Sequence, residues 1–595
     1  MYPAFLDDER QIAPARAVRT QLDDGSFTLR SPMALQPYAR CVGEWLERWA
    51  KETPDALALA ERSDSAEGWR SLTYAQLRRQ VGAVAQSLLD LRLPAGRPIA
   101  ILSDNAVDHA VLMLAAMHVG ITPCSLSTAY ARSQDPSRLH SMLSVLEPSL
   151  VYASDASVYA PALQGWDSDA VRVFSRNASA CTGALAWEHL LAGQEAPQVQ
   201  QAMQALLPDD HAKYLLPSGS TGWPKVVINT HRMLCANQQM MAQAWRFLAH
   251  EKPVLVDWLP WSHTFGGNHN LNMVLCHRGT LYSDEGRPMP GLIDKTVRNL
   301  REVQPTMLFN VPRGFDMPLP FLEAADVLAR MRLAFYAAAA ALAPSTWQRL
   351  HAVARRVRPA QPLWLTTSWK STETAPAVTI AHWHLEGAGC IGAPLPGLEL
   401  KLAPNGSKLG MRVRGVSVFA GYRNSPRETA AAFDHEGFYR IGDAGYLVDA
   451  EQPDKGVVFN GRVAEDFKLS SGSWVSVGTL RVDLVSQLAP LVHDIVLTGA
   501  DRDEVGMLVF PSAAGAADAA RLARALQAVM RARRDAGAGS SQCPTRAMVM
   551  HTAPDADAGE ITDKGYISQG AVLSRRAAAV QALYAHPAAP GVIGA

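Results

Sequence analysis

The 595-residue sequence carries no surplus of either charge: 56 Lys and Arg balance 56 Asp and Glu. That balance removes the electrostatic footprint expected of a nucleic-acid binder. Cysteine is scarce. Cys41, Cys124, Cys181, Cys235, Cys276, Cys390 and Cys543 are scattered, odd in number and without CxxC or Cys/His ligand spacing, which argues against a disulfide framework or a zinc site. Long apolar runs are missing too. AVLMLAAM (110–117) and LAFYAAAAALA (333–343) fall short of the roughly 20 residues that cross a bilayer and read as buried helix or strand. The opening MYPAFLDDERQIAP has no basic stretch leading into an apolar segment, so no secretory signal is expected and a cytoplasmic location is. Lysine is also rare: of the 56 basic residues only 11 are lysine and 45 are arginine.

What remains is ordinary globular material, 48% hydrophobic and 19% charged, long enough for several domains. Residues 73–92 carry apolar positions at helical spacing after Thr73, which can cap. A strand, a polar turn and a helix follow in RPIAILSDNAVDHAVLMLAAMHVG, and buried strands return at SLVYAS (149–154) and PTMLFNV (305–311). The class is therefore α/β. Beyond about residue 393 the texture becomes short strands with Gly and Pro turns, a β-rich subdomain over about 394–461. From 462 to 595 strand-like HDIVLTGA, VGMLVFP and RAMVMHT surround one long helix at 519–535. This predicts a large N-terminal domain, 1–461, and a small mobile α+β C-terminal domain, 462–595, with the tail AHPAAPGVIGA frayed.

The most informative segment is KYLLPSGSTGWPKVVINTHRML (213–234). Ser218, Gly219, Ser220, Thr221 and Gly222, followed by Trp223-Pro224-Lys225, gather hydroxyls, permissive backbone and an ammonium near one point, a nest suited to phosphate oxygens. It is not a Walker A loop, since no Gly-Lys-Ser/Thr follows and β-branched residues come next. A polar hairpin loop is the bland alternative.

Here the chain resembles the adenylate-forming superfamily, the acyl-CoA synthetases and their relatives, whose phosphate loop reads like SGSTGxPK. SWKSTETAP (368–376), FYRIGDAGYLVD (438–449), NGRVAEDFKLSSGSWVS (460–476) and EITDKGYISQGAV (560–572) look, in order, like its adenine and magnesium segment, its ribose segment, its hinge and its C-terminal lysine segment. The wording of VDWLPWSHTFGGNHNLNMVL (256–275) and FKLSSGSWVSVGTLR (467–481) is most similar to feruloyl-CoA synthetases.

The resemblance implies an ATP-dependent ligase that activates a hydroxycinnamic acid, ferulic first, as acyl-AMP and passes it to CoA. It implies Mg2+ held by Thr221 and Glu373, with Ser218 to Lys225 over the phosphates and Thr372 beside the nucleotide. It places Asp443 on the ribose, because an ionised carboxylate offers two acceptor oxygens, and Arg462 near ribose or phosphate. His263 would lie beside the acid's carboxylate, and Phe335, Tyr336 and Ala338 would line the acyl pocket. Lys564 would enter the site only for adenylation. The C-terminal domain would then swing about 462–465 and bring Gly472 toward CoA. Taken singly, Asp443 could cap a turn, Arg462 could be a surface ion pair and His263 a core histidine; their order lifts them.

Two residues depart from the family pattern. Lys370 stands where relatives usually have glycine, and is expected either to crowd the nucleotide or to point into solvent. Ala338 also replaces a usual glycine, and 315–332 looks short. Other readings stay open: a ligase for another aryl or medium-chain acid, a family member that binds nucleotide without turnover, or a domain that loads a carrier protein. Partners are small molecules, with no nucleic acid or membrane, and a homodimer stays open.

Overall fold

A computed structural model describes residues 3–62, 68–216, 225–289, 291–311, 313–316, 330–336, 344–357, 362–405, 408–555, 559–561 and 567–595. The N-terminal region is α/β. Strands Ile99–Leu102, Pro123–Ser125, Leu150–Ala153, Val171–Phe174 and Leu185–Ala186 run parallel, and His211–Leu215 joins Pro123–Ser125 in parallel before Val227–Thr230 turns back antiparallel. These strands are apolar on both sides because helices cover both faces. Tyr74–Asp90 starts at the Thr73 cap, whose hydroxyl accepts from the Gln76 amide, and buries Leu77, Val81, Val84 and Leu88. Val107–His118 is buried on every side, its apolar run 110–117 flanked by Asp108, His109 and His118, which find partners in Arg70, Ser125 and Glu47. A second sheet consists of Val254–Asp257, Thr280–Ser283, Leu57–Arg62 and Trp69–Thr73.

The third sheet joins what the sequence separates. Met307–Asn310, Leu333–Tyr336 and Trp364–Lys370 are parallel; Ala377–Ile380 then runs antiparallel and leads into the β-rich strands Cys390–Pro394, Val457–Arg462, Tyr439–Leu447, Lys408–Gly415 and Leu398–Asn405. Its far edge comes from the N-terminal hairpin Val18–Gln21 and Phe27–Arg30, which pairs with Leu398–Asn405. The strands carrying 368–370, 439–447 and 457–462 thus belong to one sheet, the last two adjacent and the first separated from them by Cys390–Pro394 and Ala377–Ile380.

The C-terminal region is α+β. Val492–Thr498, Val505–Pro511 and Pro544–Val549 pack against Ala519–Asp535 and Val477–Gln487. The tail is not frayed: Val592–Gly594 pairs antiparallel with Pro544–Val549, and the Ala595 amide donates to the Thr545 carbonyl at 3.0 Å. The short apolar Val-Ile segment closes an edge that would otherwise expose its backbone groups. Among the described residues no helix is long and apolar enough to cross a membrane.

Candidate active site

The site grows from the junction of three strands. Antiparallel pairing of Tyr439–Leu447 with Val457–Arg462 sets Asp443 opposite Arg462, and Arg462 Nε lies 3.0 Å from Asp443 Oδ1. From Trp364–Lys370, beyond two intervening strands of the same sheet, Trp369 Nε1 donates to Asp443 Oδ2 at 2.7 Å. The Asp443 side chain is 9% exposed whereas that of Arg462 is 51% exposed, so the arginine can withdraw and leave the carboxylate fixed by the indole. Trp369 was not singled out in the sequence, although a buried indole N–H needs an acceptor and thereby points to one.

Beyond Lys370 the chain turns through Thr372–Thr374. The Thr372 carbonyl accepts from Asn229 Nδ2 at 3.1 Å, the Glu373 carbonyl accepts from the Phe419 amide at 2.8 Å, and Glu373 Oε1 accepts from the Tyr422 hydroxyl at 3.3 Å. Lys225 is exposed and holds its Nζ 5.2 Å from the Tyr422 ring centroid. Ser218, Gly219, Ser220, Thr221, Gly222, Ala338 and Lys564 lie outside the described residues.

His263 opens a π-helix, Phe265–Leu271, a form often seen at functional sites. Its Nδ1 accepts from the Phe265 amide at 3.2 Å, which leaves Nε2 as the donor in the neutral ring. Both glycines after Phe265 are needed for close approach. A Cβ on Gly266 would stand 2.1 Å from the Leu259 carbonyl oxygen and one on Gly267 2.6 Å from that of Trp261. Asn268 donates to Asn229 Oδ1 at 2.7 Å, so one buried amide chain ties the His263 turn to the Thr372 carbonyl. Lys213, on the strand His211–Leu215, is buried beside this turn, and burial pushes its ammonium down to about 8.

A cavity of about 1020 Å³ contains Asp443, Arg462, Trp369, His263, Tyr336 and Lys370 in its wall. Glu373, Thr372 and Lys225 are outside that wall. Phe335 also departs from its expected place: it is fully buried among Trp245, Phe309 and His269 behind the cavity, because successive residues of a strand face opposite ways and Tyr336 takes the cavity side. Lys370 points inward rather than into solvent, with its ammonium buried. Its ammonium sits directly over the Phe265 ring and 5.5 Å from the Phe335 centroid, within electrostatic reach of Asp257 and His269.

Burial pushes the Asp257 carboxyl up to about 7, against the pull of Asn270, the Leu259 amide and Lys370. The folded protein therefore keeps a proton that the unfolded chain releases above about pH 4. The resulting contribution is full below that pH and is lost as pH rises through about 7. Asp257→Asn should flatten this limb, measured as melting temperature between pH 5 and 8.

At the other end the cavity reaches the C-terminal ends of the parallel strands, where open α/β sheets bind ligands. There Arg132 and Arg287 pair with Asp104 at 2.6 and 2.9 Å, and Arg70 pairs with Glu61 and Asp108 at 2.8 and 2.6 Å. Gly472 lies at φ +82° in the tip between Phe467–Lys468 and Trp474–Val475, with open space around it.

Comparison with known proteins accords with this arrangement. The chain is 26% identical to the rice (Oryza sativa subsp. japonica) 4-coumarate–CoA ligase-like 9, over 83% of this chain and 87% of that one. It is 22% identical to the Drosophila melanogaster long-chain-fatty-acid–CoA ligase heimdall, over 83% and 79%. In fold it is similar to the anthranilate CoA ligase AuaEII in complex with anthranoyl-AMP, with a TM-score of 0.70 at 17% identity, covering 91% of this chain and 98% of that one. The adenylation domain of a carboxylic acid reductase from Segniliparus rugosus, in complex with AMP, gives 0.69 at 19% identity over 92% and 94%. The large α/β region with a small C-terminal domain is thus the adenylate-forming fold. The AMP-binding enzyme family matches residues 46–423 and the AMP-binding enzyme C-terminal domain matches 469–588, and the chain belongs to the AMP-binding enzyme family.

Proposed function

We propose that the chain is an AMP-forming acid–CoA ligase whose acid is aromatic, with a hydroxycinnamate such as ferulate as the leading candidate. The observation that carries this reading is the single cavity running from Asp443 and Arg462, past His263, to the arginine-carboxylate rim at the strand ends. Such a space accommodates a nucleotide at one end and a thiol entering from the other. Relatives named for 4-coumarate and anthranilate support an aromatic acid, and the one named for long-chain fatty acids makes an aliphatic acid the second reading.

In this reading the acid's carboxylate attacks the α-phosphorus of ATP and pyrophosphate leaves; the CoA thiol then attacks the acyl carbon and AMP leaves. Asp443, steadied by Trp369, accepts the ribose hydroxyls once Arg462 moves aside. His263 directs Nε2–H toward the carboxylate, with its ring fixed by the Phe265 amide. Glu373 fits a hard cation: one carboxylate oxygen is held by Tyr422 and the other offers the oxygen ligand that Mg2+ prefers. When bound, Mg2+ neutralises the triphosphate charge.

The test supplies ATP, Mg2+, CoA and a panel of aromatic and aliphatic acids, and follows AMP and thioester. AMP and thioester formed together from an aromatic acid are expected. AMP without thioester would point to carrier loading, and no AMP from any acid despite ATP binding would exclude the ligase.

A further inference from the structure

Two groups assigned to the triphosphate, Lys225 and Glu373, come from opposite sides of a fold boundary and meet at one side chain. The segment 419–425 is stitched to both. The Arg423 amide donates to the Val226 carbonyl at 2.9 Å, and Tyr422 bridges Val227, just past the phosphate loop. In the other direction the Phe419 amide donates to the Glu373 carbonyl at 2.8 Å. Between these anchors the Tyr422 ring lies under the Lys225 ammonium while its hydroxyl reaches Glu373 Oε1.

We propose that Tyr422 is a positioning residue that fixes the spacing of the Lys225 ammonium and the Glu373 carboxylate, leaving Glu373 Oε2 as the single oxygen facing a metal–triphosphate. This rests on the function proposed above. Packing alone does not explain the hydroxyl: the ring would fill its place beside Phe419, at 4.9 Å between centroids, equally well as phenylalanine. A carboxylate with one oxygen already committed binds a cation through the other, so its geometry is set before the nucleotide arrives.

Mn2+ is the probe, with a non-hydrolysable α,β-methylene ATP, free Mn2+ being counted by electron paramagnetic resonance on the full-length protein. Tyr422→Phe should weaken Mn2+ binding in the ternary complex about tenfold, the order expected for one hydrogen bond to a charged group, with the melting temperature unchanged. In pyrophosphate exchange the same variant should need correspondingly more Mg2+ and reach the wild-type maximum at saturation. Tyr422→Leu, which also removes the ring, should in addition weaken the nucleotide itself. Mn2+ binding by Tyr422→Phe within about twofold of wild type would overturn the positioning role. Glu373→Gln run in parallel separates the two levels. If it leaves Mn2+ binding intact, the metal assignment itself fails; if it abolishes binding while Tyr422→Phe does nothing, only the role of Tyr422 fails.

Discussion

Lys564→Ala should slow adenylate formation about a thousandfold, the scale of losing one preorganised charge-stabilising donor, and leave thioester formation from pre-made acyl-adenylate within about threefold. Lysine is so rare in this chain that its placement carries information. After Lys468, Lys564 is the one lysine in a region that otherwise uses arginine. An ammonium on a flexible four-carbon stem can enter a narrow channel and meet a carboxylate and an α-phosphate together, where a planar guanidinium demands more width. The base of its segment is well braced. Ile561 bridges Ile567, the Ser568 amide donates to the Glu560 carbonyl at 2.8 Å, and Arg576 holds the Glu560 carboxylate at 2.7 Å. Loss of the Lys564 side chain therefore leaves the supporting fold in place. Pyrophosphate exchange reads the first half-reaction, and synthetic acyl-AMP with CoA reads the second. Equal loss in both would remove Lys564 from the adenylation step. Lys564→Arg should rescue the first half-reaction only weakly.

The ordered motifs make the family and the α/β architecture legible in the sequence alone, because each is a run of specified residue types at a turn. The pairings between motifs were not legible. Asp443 and Arg462 are named in the sequence, but their contact depends on the register of two antiparallel strands, and their partner Trp369 comes from a third. The N-terminal hairpin is a similar case: nothing local in Val18–Arg30 indicates that it completes a sheet with Leu398–Asn405, nearly 400 residues on. The misplacement of Phe335 was avoidable. Phe335 and Tyr336 are adjacent in a strand, so both could not face one pocket. The direction of Lys370 follows the same parity, opposite to Trp369, yet the cavity side could be chosen only once the sheet was assembled.

That direction sets the second large expectation. Lys370→Gly should raise kcat/KM for planar aromatic acids at least about tenfold, the scale on which one or a few methylenes in an apolar pocket discriminate, with little change for acetate. The four-carbon stem and its ammonium lie beside Phe265 and Phe335 at the wall of the cavity, and glycine at this position would open that space to a planar ring. An ammonium over two aromatic rings in a desolvated setting is worth about 2 kcal/mol or more, so Lys370 does not leave its place cheaply when an acid arrives. Asp257 adds to its retention: the two buried groups attract each other, and removing the ammonium would push the Asp257 carboxyl still higher. Lys370→Met keeps most of the volume and discards the charge. If volume governs, only the glycine variant gains; if charge governs, methionine gains as well, because the acid no longer competes with a fixed cation for the aromatic faces. Thioester formation over an acid series of graded size, compared among the wild type and both variants, reads this directly. Unchanged acid preference in both variants would show that the acyl group lies away from Phe265, toward the arginine-carboxylate rim, and that Lys370 is part of the supporting core.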